Sequence, residues 1–282
     1  MDLIERIVKN AKDLPTLPTV YSVLCDLISS SKSTAQDVAN LVSTDQASAS
    51  RLLRIANSSF FGFSGKIETI SRAVVLLGLD EVRNLILSSS VMNLFEKRKP
   101  LLGFRPRSFW AHSIGVGLIT RWVGQSAGMT QLENFFLAGI LHDIGKLYFF
   151  EYAEEEYVPV LTLVKGGKHF IRDAELEVLG VDHSLMGSFL ADEWKLPQPI
   201  RNAIHYHHFG MVGEKADLLV AAVHFADVLA RALELGYPGD NLIPQPSELI
   251  WPVLRLRPGM IEKMAPKILK DYEDAVNKMF LK

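Results

Sequence analysis

His142 and Asp143 stand side by side in AGILHDIGK, residues 138–146, a segment otherwise made mostly of apolar side chains. Unpaired polar groups are expensive to bury, so the pair demands a partner. Imidazole and carboxylate together suit a divalent cation. Lys146 follows four residues after His142 and three after Asp143, so on a helix its ammonium shares their face and can reach an anionic group on a bound ligand. Gly145 removes a side chain next to the pair, which lets a ligand or a second helix approach closely. A lone His-Asp pair can also bridge helices with no metal, so the reading depends on what converges with it.

Several other polar residues interrupt apolar stripes downstream. His112 breaks the stripe of Trp110, Ile114, Leu118 and Trp122, and His183 follows Asp182, which reads as a helix N-cap. His205, His207 and His208 close the segment IRNAIHYHH, for which Pro199 is a suitable opening residue. Asp227 falls in the middle of the apolar segment 216–235, in line with Val220, Val223 and His224. Singly, each has a mild explanation: a carbonyl-bonded core histidine, a capping neighbour, a solvated helix end, or a carboxylate neutralised by His224 or Arg231. Together they predict a bundle that gathers His112, His142, Asp143, His183, His207, His208 and Asp227 around one cavity. Nitrogen and oxygen ligands without thiolate suit one or two ions of iron, manganese, zinc, nickel or magnesium type.

The elements that must position these groups read as helices throughout. Upstream, Val20, Val23, Leu24, Leu27 and Ile28 recur at helical spacing after the turn-like LPTLP of Leu14 to Pro18. Ser33 to Gln36 predicts a capping box, Asp45 a further cap, and Thr69 to Leu77 a helix ended by Gly78, with Asp80 capping the next. The two short helices around Asp45 permit a helix-turn-helix, with Arg51 and Arg54 as its only bases; nucleic acid is not the expected partner. The stretch from Glu96 to Arg107 is charged and broken by Pro100, Gly103 and Pro106, and all eight histidines lie between His112 and His224, beyond it. The expected division is an N-terminal helical domain at 1–100, a histidine-bearing helical domain at 105–235, and a helical tail at 236–282 packed on the body. Residues 151–167 read as a surface connection, the last helix is expected to bend at Pro266, and no segment has strand periodicity.

Composition narrows the class. The 282 residues carry a net charge of -2, which gives no nucleic-acid footprint, and Cys25 is the only cysteine, which excludes a disulfide framework or a zinc-thiolate cluster. MDLIERIVKN mixes charges into its apolar positions and does not read as a signal peptide, and no apolar run reaches membrane-spanning length. The expectation is a cytoplasmic all-α protein with no membrane association.

The order His112, His142-Asp143, His183, His207-His208, Asp227 resembles the HD phosphohydrolase superfamily with its HD-GYP branch. Closer still, LPTLP, TDQASASRLLRIANSSFFG at Thr44 to Gly62, ISRAVVLLGLDEVRNLIL at Ile70 to Leu87, FWAHS, FFLAGILHDIGK, LGVDHSLMGSFLADEWKLP at Leu179 to Pro197 and IHYHH resemble the HDOD (HD-related output domain) family. That resemblance implies a bacterial, all-helical signalling or regulatory module without a general catalytic activity. The wider superfamily implies metal-dependent hydrolysis of phosphate esters. Carried over by position, His142 and Asp143 would ligate one metal with His112 and Asp227, while His183, His207 and His208 would serve a second. Lys146 would contact substrate phosphate, and Asp143 with Lys146 would form the catalytic pair of an enzyme. After His208 the chain continues FGMVGEK and lacks a GYP element, which counts against cyclic-dinucleotide hydrolysis. The leading expectation is therefore a non-catalytic output module that engages a signalling protein or a small phosphorylated or nucleotide ligand, with the tail helix available for a homodimer. The alternative is a metal-dependent phosphohydrolase. Phe60, Phe61 and Phe63 could offer a partner surface or form a satellite core cluster.

Overall fold

The computed structural model describes residues 15–17, 19–30, 33–95, 99–257 and 259–280. The charged N-terminal segment, Leu14 and Pro18 of LPTLP, and Glu96 at the head of the expected linker lie outside the described residues. The regular elements of the described chain are helices, apart from one hairpin with two-residue strands and an isolated bridge between Leu101 and Phe104. It divides into two compact units, residues 17–94 with 259–280, and residues 15–16 with 95–257.

The unit beginning at residue 17 opens with α1 (Thr19–Ser29), α2 (Ala35–Val42), α3 (Gln46–Ala56), α4 (Ile70–Leu77) and α5 (Leu79–Phe95). Thr34 and Asp37 form the capping box of α2, one residue later than the expected Ser33 to Gln36. The shift follows from side-chain reach: the Asp37 carboxylate accepts from the Thr34 backbone N–H at 2.9 Å, and the Thr34 hydroxyl accepts from the Asp37 N–H at 3.2 Å. Asp45 caps α3, and Gly78 at φ +87° ends α4. Asp80 lies inside the first turn of α5 instead of capping it, and pairs with Arg83 at 3.0 Å. Leu24, Val38, Val42, Leu52, Ile55 and Ala73 make the core of this unit.

The second unit contains α6 (Pro106–Ser126), α7 (Leu132–Leu141), α8 (Ile144–Tyr152), α9 (Glu154–Lys165), α10 (Ile171–Leu179), α11 (His183–Glu193) and α12 (Gln198–Tyr206). The hairpin β1 (Met211–Val212) and β2 (Lys215–Ala216) follows, then α13 (Leu218–Ala232) and the short α14 (Trp251–Leu254). Two expectations are corrected here. Residues 154–165 are a helix, not a surface connection: Tyr157, Val160, Leu161 and Val164 form a buried stripe, and three glutamates in the first turn complement the helix dipole. The hairpin Met211–Ala216 is antiparallel with two registered pairs, too short for strand periodicity to be visible.

The segment carrying His142 and Asp143 is also not one helix. It breaks at the pair itself, His142 ending α7 and Asp143 preceding α8. Gly145 then admits another helix, not a ligand: a Cβ there would lie 2.1 Å from the His183 carbonyl oxygen and 2.7 Å from the Gly187 nitrogen. Because both obstacles are backbone, Gly145→Ala is expected to push α8 from α11 and to cost about 1–3 kcal/mol. Urea unfolding measures that loss; an unchanged midpoint would contradict the close packing. At Gly236, φ +73° and a Cβ position 2.2 Å from the His112 nitrogen similarly require glycine where the chain after α13 crosses α6.

The last helix, α15 (Met260–Phe280), belongs to the first unit, and residues 236–257 to the second, so the stretch expected as one tail at 236–282 is split between them. The cause is specific bonding: Asp274 accepts from the Ser59 backbone N–H at 2.5 Å, Asp271 from the Ser59 hydroxyl at 3.0 Å, and Lys278 donates to the Asn57 carbonyl at 2.6 Å. The helix passes through Pro266, and Ile268, Ala275 and Met279 are buried.

Candidate metal centre

Four helices of the second unit and the break between α7 and α8 deliver their polar residues to the same place. His112 comes from α6, His142 and Asp143 from the α7–α8 break, and His183 from the first turn of α11, whose Asp182 cap accepts from the Leu185 N–H at 3.0 Å. His207 and His208 follow the end of α12, and Asp227 sits in the middle of α13. Six of the seven are buried, and His208 is half-buried.

Asp143 is the hub. Its Oδ1 lies 3.0 Å from His183 Nε2 and 3.4 Å from His207 Nε2, and its Oδ2 lies 3.2 Å from His142 Nε2. Lys146 donates to the same Oδ2. On the other side, His142 Nε2 stands 3.9 Å from Asp227 Oδ1, which His112 Nε2 approaches to 2.9 Å. His208 Nε2 is 2.8 Å from His183 Nε2. The seven residues form one connected cluster, and three sets of donors fall within mutual ligand distance: His183, His207 and His208; His112, His142 and Asp227; and His142, Asp143 and His207.

The outer nitrogens set the tautomers. His142 Nδ1 faces the Gly139 carbonyl at 2.7 Å and His207 Nδ1 the Ile204 carbonyl at 2.8 Å, so both carry their proton outward and aim the Nε2 lone pair into the cluster. His183 Nδ1 faces Glu175 Oε2 at 2.5 Å. Despite the short separations, His142 Nε2, His207 Nε2 and Asp143 Oδ1 are buried without a hydrogen-bond partner. Such orphaned acceptors are costly in a dry interior, and three aimed at one point fit a cation. Separations of 3.0 to 3.4 Å are also those of adjacent ligands around a first-row ion bound at about 2.1 Å. His112 and Asp227 differ, because their facing atoms already bond to each other and Arg231 Nε donates to Asp227 Oδ1 at 3.0 Å.

Electrostatics follow from burial and pairing. Burial would raise the Asp143 carboxyl, but His142, Lys146 and His183 hold it well below the usual range. Burial would likewise raise Asp227, and Arg231 with His112 and His142 outweighs it. Burial pushes His207 down to about 4 and lowers His112 and His208 too, so these imidazoles are neutral at pH 7. Burial also depresses His183, but Glu175 and Asp143 overcome it and raise His183 to about 9. A proton therefore competes with any cation for His183 below pH 9, while His207 imposes no such competition. Metal affinity is expected to rise by about tenfold per unit between pH 7 and 9 and to level off above. Calorimetric titration across that range measures it; a flat profile would exclude His183 as a ligand.

Sequence reasoning missed the groups that hold the ligands. Glu175 accepts from the His183 N–H and from the Tyr157 hydroxyl, both at 2.8 Å, while Asp240 accepts from Arg231 at 2.8 Å and from the Ile171 N–H at 3.1 Å. The available signal for Glu175 was its place with Ile171, Ala174 and Leu179 on the buried stripe of α10. His224 is structural: its Nδ1 faces the His207 carbonyl at 2.7 Å and its Nε2 accepts from the Ser247 N–H at 3.0 Å. Lys146, expected to face a ligand, is fully buried on Asp143.

A mainly helical unit that brings a His-Asp pair together with histidines and an aspartate from four further helices defines an HD-type protein with a candidate metal-binding cluster. Residues 14–209 match the HDOD domain, and the chain belongs to that family. It is similar to an HDOD domain protein of unknown function from Geobacter sulfurreducens, with 28% identity, a TM-score of 0.80, and coverage of 96% of this chain and 94% of the other. A candidate phosphohydrolase from Shewanella amazonensis SB2B shares the fold, at 23% identity, a TM-score of 0.75 and 97% of each chain. An uncharacterized protein of Treponema pallidum (strain Nichols) is 25% identical over 235 residues, covering 82% of this chain and 44% of its own length. The chain thus spans less than half of that curated relative. No described helix is long and apolar enough to cross a membrane.

Proposed function

We propose that this chain is a non-catalytic signalling module in which the HD-type cluster holds one divalent ion in a closed, charge-compensated pocket, and that its output is contact with a signalling protein in the cytoplasm. His142, Asp143 and His207 are the ligands with open lone pairs, and His183 joins them once deprotonated. His112, Asp227 and Arg231 form the bonded flank of the same cluster, and His208 its half-buried edge.

The observation that supports this reading is the size of the approach. The cavity reaching His208 and Asp227, with Arg172, Asp173 and Arg231 in its wall, measures about 140 Å³. Pockets for small organic ligands run from roughly 300 to 1,000 Å³, so this approach is smaller than a nucleotide site usually is. The ammonium that would meet a substrate phosphate is also committed to Asp143.

The second reading, a metal-dependent phosphohydrolase, draws on the same ligands. A divalent ion there would supply Lewis acidity toward a phosphoryl oxygen, with Asp143 orienting the attacking water and Lys146 offsetting charge on the phosphate. The two readings separate in one assay. Protein supplied in turn with iron, manganese, zinc, nickel or magnesium is tested against nucleotides and phosphodiesters, and native extract is passed over immobilised chain. The regulator reading expects turnover no greater than that of Asp143→Ala, with a protein partner recovered. Turnover present in the native chain and lost in Asp143→Ala overturns it.

A further inference from the structure

A second candidate site lies in the other unit and shares no lining residue with the histidine cluster. Ser50, Leu53, Arg54 and Asn57 follow one another at helical spacing along a single face of α3, and that face forms one wall of a cavity of about 700 Å³. Phe63, Ile67 and their neighbours in the loop before α4 form the facing wall, and Lys278 of α15 closes the end. The walls are tied together. Asn57 Nδ2 donates to the Leu53 and Ile67 carbonyls at 2.7 Å each, its Oδ1 accepts from the Ile67 N–H at 2.7 Å, and its own carbonyl accepts from Lys278. A preformed pocket of this size is in the middle of the range for small organic ligands.

Its polar groups are unevenly matched. Lys66 is offset by Glu68 at 3.3 Å, and Lys278 by Asp274 at 2.9 Å. Arg54 has no carboxylate among the described residues, and its Nε is buried without a hydrogen-bond partner. Ser58, 3% exposed, lines the same cavity with its hydroxyl unpartnered. Buried donors without acceptors are rare in folded proteins, and two at one cavity call for an acceptor from outside the fold. Leu53, Ala56, Ile67 and Phe63 supply the apolar surface around them. The same placement removes Arg51 and Arg54 from a nucleic-acid face, since Arg51 is only 5% exposed and Arg54 belongs to the cavity.

We propose that the cavity between α3 and the loop before α4 is a binding site for a small organic anion with one negative charge and an apolar body, the charge held by Arg54 and Ser58 and the body by Leu53, Ile67 and Phe63. The site would give the module an input independent of the metal cluster.

The test uses the full chain and two fluorescent probes of similar shape, 8-anilinonaphthalene-1-sulfonate, which carries one negative charge, and N-phenyl-1-naphthylamine, which carries none. The native chain is expected to bind the sulfonate saturably at one site and the neutral probe at least about tenfold more weakly, the scale of one charge-assisted hydrogen bond. Arg54→Ala removes a side chain with no carboxylate partner among the described residues, and should weaken the sulfonate by at least about tenfold while changing the neutral probe less than about twofold. Ser50→Trp fills the cavity from an exposed position and should weaken both probes. Circular dichroism melts establish that both variants fold. Failure of the native chain to bind the sulfonate at one site, equal binding of the two probes, or unchanged sulfonate binding in either folded variant overturns the proposal.

Discussion

Asp143→Ala is expected to lower stability by about 3–5 kcal/mol in the metal-free protein and to reduce metal affinity by at least about 100-fold. The stability loss arises because the variant leaves the fully buried Lys146 ammonium without its counter-charge, and leaves His142, His183 and His207 without the carboxylate they face. Removing one partner of a buried pair costs far more than removing both. The double variant Asp143→Ala/Lys146→Met should therefore recover a substantial part of the loss while binding metal no better than Asp143→Ala. Urea unfolding at pH 7 in the presence of chelator reads the first effect, and calorimetric metal titration the second. Full additivity of the two substitutions would show that Lys146 and Asp143 are not coupled.

Arg231→Met should be nearly as damaging, by about 3–5 kcal/mol, because it strands two buried carboxylates, Asp227 and Asp240. Its pH dependence distinguishes it from a simple packing defect. In the native chain Arg231, with His112 and His142, overcomes burial and holds Asp227 well below the usual carboxylate range. A depressed carboxyl contributes stability that is fully present above its unfolded value of about 4 and is lost as pH falls through its folded value. Arg231→Met removes the main cause of the depression, so the gap between native and variant chains should be largest near neutrality and narrow as the solution is acidified below about 4. A gap that is constant with pH would mean that Arg231 acts through packing alone.

The sequence made the second unit legible to a useful depth, for a physical reason. A polar side chain in an apolar stripe is visible without coordinates, and His112, His142, Asp143, His183, His207, His208 and Asp227 are all of that kind; the structure brings them into one connected cluster. Their supports were harder to see. Glu175 and Asp240 act across loops and between elements, so spacing along the chain gives little sign of them, whereas Arg231 lies one helical turn from Asp227 and was readable as its partner. Local breaks were harder again. The turn at His142-Asp143 leaves apolar periodicity almost intact, and Pro159 with three glutamates disguised α9 as a connection. The division of residues 236–280 between units rests on Ser59 meeting Asp271 and Asp274, bonds between positions more than two hundred residues apart.

Lys146 shows how position and role separate. Its spacing from His142 and Asp143 correctly places the three together, but the space left for a ligand depends on how tightly α8 meets α11 at Gly145. The ammonium donates to Asp143, the carboxylate at the centre of the cluster.

The central claim is that the buried lone pairs of His142, Asp143 and His207 form a single divalent-ion site. Elemental analysis of untagged protein, metal-stripped and then equilibrated with iron, manganese, zinc, nickel or magnesium, tests it directly beside His142→Ala and Asp143→Ala. The account predicts about one equivalent of at least one of these ions per chain, matching the one shared set of orphaned donors, and loss of that equivalent in both variants. No retained metal in the native chain, or the same retention in the variants, would contradict it.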